Sequence, residues 1–179
     1  IMEEKNMKKI ISLMSIVVLV IGILVGCSST NNTQQSTIDM SDVDSSDINY
    51  FTEVLSGRVI DEYDMDNSMY MDYDKINNFV TIHVPMKNEY LLEEDMTEIR
   101  QAITTDTNSL GTRIVDVFNN TLLAYQDAGI NCNLMLEVTD ELFTSHGAVL
   151  EIYCNHPITL DDIKDRSEDL YKNGSIMID

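Results

Sequence analysis

Two stretches of this chain alternate apolar and polar residues with the period of a β-strand, and each closes as a hairpin with one wholly apolar face. In the first, Met69 to Val84 folds about Lys75-Ile76-Asn77-Asn78, where the asparagines tolerate turn backbone angles. That register sets Tyr73 opposite Val80, Met71 opposite Ile82 and Met69 opposite Val84. Its reverse face carries Asp74 with Phe79, Asp72 with Thr81, and Tyr70 with His83. The second, Cys132 to Asn155, centres on Phe143, which sets Val138 opposite Ala148, Leu136 opposite Leu150, Leu134 opposite Ile152 and Cys132 opposite Cys154. Asn133, Met135, Glu137, Val149, Glu151 and Tyr153 then form its outer face. A slip of one residue would send either apolar set to the wrong side, so the pattern restrains both registers.

Between the hairpins, Leu110, Ile114, Val117, Phe118, Leu122 and Tyr125 recur at the three and four residue spacing of a helix. Asp106 suits its start, and Gly129 suits a left-handed turn at its end. A shorter helix precedes it, with Leu92, Met96, Ile99 and Ile103 on one stripe and a break near Thr104 to Thr107. After Pro157, Thr159 can cap a last helix that carries Leu160, Ile163 and Leu170 and stops near Gly174. Residues 47–63 read two ways: Ile48, Phe51 and Leu55 favour a helix, whereas Gly57 and Val59-Ile60 favour a strand. A short helix followed by a strand is expected there. Together these elements predict an α+β domain, an antiparallel sheet of four or five strands built from two hairpins with helices packed on one face. The order strand, turn, strand, proline, helix at 69–103 is echoed at 132–172.

Upstream the composition changes. Met7-Lys8-Lys9 precedes an apolar run from Ile10 to Val25, then Gly26-Cys27 and a polar tract from Ser28 to Ser36. An export signal has an apolar core of roughly 7 to 15 residues behind positive charge, while a spanning helix takes about 20. This run falls between the two, so its end decides: small Gly26 leaves a peptidase room at the backbone, and the Cys27 thiol is a nucleophile that can accept a lipid. The segment resembles the signal of a bacterial lipoprotein precursor, with Leu24-Val25-Gly26-Cys27 as the lipobox. That resemblance implies cleavage before Cys27, attachment of at least two fatty chains such as palmitate to Cys27, and residence on the outer face of the bacterial cell membrane. Two chains hold durably where one is marginal. The expected organisation is a signal peptide at 1–26, a flexible polar tether at 27–46 and a single α+β domain at 47–179. Ile38, Met40 and Val43 are the tether's only large apolar residues, too few by count to repay chain entropy.

The chain is strongly acidic, with 31 Asp and Glu against 11 Lys and Arg and a net charge of −20. Such a field repels nucleic acid and anionic headgroups, keeps a protein soluble, and suits cationic partners or divalent ions. No nucleic-acid partner is expected. Asp42, Asp44, Ser46 and Glu53 occupy positions of a calcium-loop template, but Asp47 stands where its sharp turn needs glycine, and Asn49 where it needs an apolar residue. Asp61, Glu62, Asp64 and Asp66 read as a solvated loop.

Directly opposed cysteines on paired strands have Cα atoms about 4.5 to 5.5 Å apart, within reach of a disulfide. Cys132 and Cys154 are therefore either bridged, as export favours, or two buried thiols in a host that lives without oxygen. With His156 they could converge on a metal but lack the spaced pairs of a zinc motif, so no metal or cofactor is expected. His146 with Ser145, Asp140 and Glu141 lacks a nucleophile turn and an oxyanion hole. Tyr70, Asp72, Asp74 and His83 form a group that either moves protons or is an ordinary solvated sheet face. No catalytic residue is assigned. The large side chains opposite the core, Tyr70, Phe79, His83, Met135 and Tyr153, form an expected binding face for a protein or cell-envelope component. Its rivals are a small cell-envelope hydrolase that uses His83 or His146 with nearby carboxylates, and an accessory or structural subunit of a membrane complex.

Overall fold

The first hairpin forms in the expected register and the second is displaced. In the computed structural model, which describes residues 35–65, 69–86, 93–140 and 150–178, the chain runs α1 (Ile48–Tyr63), β1 (Tyr70–Asp74), β2 (Phe79–Met86), α2 (Glu93–Thr104), a 3-10 turn (Thr107–Ser109), α3 (Leu110–Asp127), β3 (Asn133–Asp140), β4 (Leu150–Cys154), α4 (Leu160–Asp165), α5 (Ser167–Asn173) and β5 (Ser175–Met177). β1 and β2 are antiparallel, with Tyr73 beside Val80 and Met71 beside Ile82. Asp74 builds their turn by accepting hydrogen bonds from the N–H of Ile76 at 2.8 Å and of Asn77 at 3.2 Å, an Asx turn. Asn78 takes the positive φ, 52°, and its Nδ2 donates to the Asn131 carbonyl at 2.7 Å, tying the turn to the approach to β3.

β3 and β4 are antiparallel, with Leu134 beside Cys154, Leu136 beside Ile152 and Val138 beside Leu150. This lies two residues from the expected register. A two-residue displacement leaves every side chain on its own face, so the apolar pattern that forbids a one-residue slip does not detect it. Cys154 therefore neighbours Leu134, Cys132 precedes β3, and both are buried free thiols. Residues 141–149, which include Ser145, His146 and the expected pairing residue Ala148, lie outside the described residues.

The sheet is mixed, not antiparallel as expected. Its order is β1-β2-β3-β4-β5, with β2 parallel to β3 and β4 parallel to β5. A parallel pair needs a crossover long enough to return the chain to the end where the first strand began, usually through helix. α2 and α3 lie in the first crossover and α4 and α5 in the second. Hairpin, helices and a parallel strand thus follow one another twice, which accounts for the echo in the sequence.

Phe51, Leu55 and Val59 recur every fourth residue along α1 and are all fully buried. Asp47 caps the helix by accepting from the N–H of Asn49 and Tyr50 at 3.1 and 3.3 Å. The helix continues unbroken to Tyr63, so the strand expected after Gly57 is absent. Gly57 lies on the open side and costs about 1 kcal/mol relative to Ala; the buried stripe outweighs it. Asp106 starts α3 by accepting from the N–H and hydroxyl of Thr112, each at 2.8 Å. Phe118, Leu122 and Tyr125 of α3 are buried, and the Tyr125 hydroxyl donates to Thr52 Oγ1 at 2.7 Å. Thr159 and Asp162 form a reciprocal capping box on α4. The expected single last helix is divided at Arg166, and Gly174, with φ 71°, leads directly into β5.

Part of the expected tether is held against the domain. Ser36 Oγ donates to the Asn120 carbonyl at 2.9 Å, the Thr37 N–H donates to Asn120 Oδ1 at 3.0 Å, and Ile38 and Met40 are buried. Arg58 of α1 donates to the Asp39 carbonyl and pairs with Asp42 at 2.9 Å. The two buried apolar residues are supplemented here by polar partners that α1 and α3 supply. Residues 27–34 lie outside the described residues.

Candidate binding face

Side chains alternate along a strand, so burial of Met71, Val80, Ile82, Leu134, Leu136, Leu150, Ile152 and Ile176 assigns one face of the sheet to the core and the other to the exterior. The strand registers arrange the outer face in rows. Tyr70, His83, Glu137, Glu151 and Ser175 are successive neighbours across all five strands. The next row is Asp72, Thr81, Met135, Tyr153 and Met177, and a third holds Asp74, Phe79 and Asn133. Tyr70, Phe79, His83, Met135 and Tyr153, selected from the alternation, all stand on this face.

His83 is its centre. Its Nδ1 lies 2.9 Å from Glu137 Oε2 and its Nε2 lies 2.5 Å from Asp72 Oδ1. Both bonds form together when the ring carries two protons or when a carboxyl supplies one. The Tyr70 ring stacks on the imidazole with centroids 4.4 Å apart and planes inclined by 18°. Phe79 and Tyr153 meet at 6.1 Å, and the Tyr153 hydroxyl donates to Glu151 Oε2 at 3.0 Å. Burial, then the Asp72 and Glu137 charges, raise the Tyr70 phenol pKa. The Tyr153 phenol is pushed up to about 12 by burial, by its bond to Glu151, and by the charges of Glu151 and Glu137. Both phenols are therefore neutral donors at neutral pH.

This geometry bears on chemistry. The two carboxylates hold opposite edges of the imidazole, so they cannot converge with it on one cation, and among the described residues no three His, Cys, Asp or Glu side chains form a metal cluster. With both nitrogens facing carboxylates, His83 presents neither to a substrate hydroxyl. Asp74, expected in the same group, serves its turn instead. Cys132, Cys154 and His156 do not converge: the Cys154 thiol donates to the His156 carbonyl at 3.1 Å, and His156 Nδ1 contacts the Pro157 carbonyl oxygen at 3.0 Å. Burial pushes the Cys132 thiol up to about 11.

Beside the face, α1 and β1 enclose a cleft of about 330 Å³. Asn49, Thr52, Glu53 and Ser56 form one wall, and Tyr70, Met71, Asp72 and Tyr73 the other. The sequence does not reveal this cleft, since α1 and β1 meet only in the folded chain. Nor does it reveal that Glu137 engages His83, which depends on the parallel pairing of β2 with β3.

No protein-family model, curated protein or solved structure matches this chain. Among the described residues, no helix is long and apolar enough to cross a membrane.

Proposed function

We propose that this protein is a lipid-anchored extracytoplasmic domain that binds a cationic protein or envelope component on the outer face of its sheet, without catalysis. The observation that carries this reading is the ordered pairing of aromatic rings with carboxylates around Tyr70 and His83. Tyr70 is 43% exposed and Met177 65% exposed, so apolar surface is open beside the Asp72, Glu137 and Glu151 carboxylates. Lysine and arginine suit such a face, because the aromatic ring attracts the cation and the carboxylates pair with it. The net charge of −20 steers the same class of partner. Anchoring follows from the lipobox at Cys27, which keeps the domain at the surface where such a partner is met.

Titration of the full chain with an unstructured lysine-rich peptide tests the binding reading, followed by the ring resonances of Tyr70, Phe79, His83 and Tyr153. The expected result is shifts concentrated in those four rings, weakening as salt is raised and absent with a glutamate-rich peptide. Unmoved rings at saturating lysine peptide would refute it.

A further inference from the structure

We infer that the outer edge of β1, with the cleft beside it, accepts an extended cationic segment of a partner protein as an added strand. This rests on the reading of the domain as a binder of cationic partners and adds the mode of recognition. β1 ends the strand order, and among the described residues it pairs with β2 alone. The N–H and C=O groups along such an edge form a ready template for another strand. The cleft is lined by four consecutive residues of β1, Tyr70, Met71, Asp72 and Tyr73, which belong alternately to both faces, so the opening follows the strand's edge. Its lining holds two carboxylates, Glu53 and Asp72, and no lysine or arginine. A basic side chain projecting from the added strand toward α1 reaches Glu53, and its neighbour on the opposite side reaches Asp72 and the Tyr70 ring. A second copy is the poorer occupant, because antiparallel pairing of β1 with itself about its centre sets Asp72 against the Asp72 of the other copy. β5, at the other end of the order, is only three residues long.

Hydrogen exchange of the full chain, read at the amides of Tyr70 to Asp74, tests this with a short peptide of alternating lysine and valine, the same peptide N-methylated at alternate residues, and a glutamate-valine peptide. The expected result is exchange in β1 slowed at least tenfold by the basic peptide alone, with affinity several-fold weaker in Glu53→Gln and at raised salt. Equal binding of the N-methylated peptide overturns strand addition, and unchanged affinity in Glu53→Gln overturns the part given to the cleft. Shifts of the outer-face rings without protection of β1 overturn the edge while leaving the proposed function standing. Protection that grows with protein concentration and needs no peptide assigns the edge to a second copy and overturns the inference. No response to the basic peptide at either place overturns both readings.

Discussion

Asp106 is half-buried and carries more of the fold than a solvated surface acid does. Hydrogen bonds from the backbone and then the hydroxyl of Thr112, with the Lys164 charge, hold its carboxyl below the usual carboxylate range. A carboxyl depressed in the folded state contributes stability above its unfolded pKa, near 4, and loses it as pH falls through the folded value. Asp106→Ala should therefore cost about 1 kcal/mol at pH 7, the usual value of a helix-start acceptor, and progressively less below pH 4. Urea unfolding of both proteins at pH 7 and pH 3 checks this; an undiminished gap at pH 3 would refute the electrostatic part. Cys132 yields a second prediction at this scale. Its raised pKa leaves little thiolate at pH 8, so Cys132 in the native protein should react slowly with Ellman's reagent. Unreduced, unfolded chain should release two thiols if Cys27 is acylated and three if it is not, whereas a bridge between Cys132 and Cys154 would remove two from either count.

At the scale of elements, three helices come close together at Gly111. A Cβ built there overlaps the Ile103 carbonyl oxygen at the end of α2 and the Leu160 Cδ1 at the start of α4. The carbonyl belongs to the backbone and cannot swing aside, so Gly111→Ala should destabilise by about 1 to 3 kcal/mol, the range for overpacking. Thermal melts compared with Gly57→Ala give the control, since a Cβ at Gly57 meets nothing within 4 Å and should stabilise by up to about 1 kcal/mol. A wild-type melting temperature in Gly111→Ala would mean that these helices can separate at little cost. The same level shows what local pattern conveys. The β1–β2 register was legible because a four-residue turn and one apolar face both required it. The β3–β4 register was not, because a two-residue shift satisfies the same faces.

For the whole molecule, the docked segment from Ser36 to Met40 would set how far the domain could stand from the anchor proposed at Cys27. Ser36 lies nine positions beyond Cys27, and an extended chain reaches at most about 3.3 to 3.6 Å per residue. An acylated chain should fractionate with membranes, and Cys27→Ala should either stay unprocessed or leave the membrane in soluble form. Recovery of an acylated Cys27→Ala protein would place the lipid elsewhere and refute the anchor. What the sequence determined by itself was much of the local structure: the β1–β2 hairpin, the alternating faces of β3 and β4, the buried stripe of α3, the cap at Thr159, the stop at Gly174, and the outer-face set of Tyr70, Phe79, His83, Met135 and Tyr153. These follow from periodicity and from the backbone needs of single residues, which act within a few positions of one another. Only the tertiary structure decided the parallel pairing of β2 with β3, the contact of Glu137 with His83, the cleft between α1 and β1 and the separation of the two thiols. Each of these depends on which elements lie side by side, and that is chosen by burying all the apolar faces at once, a condition no single stretch of chain contains.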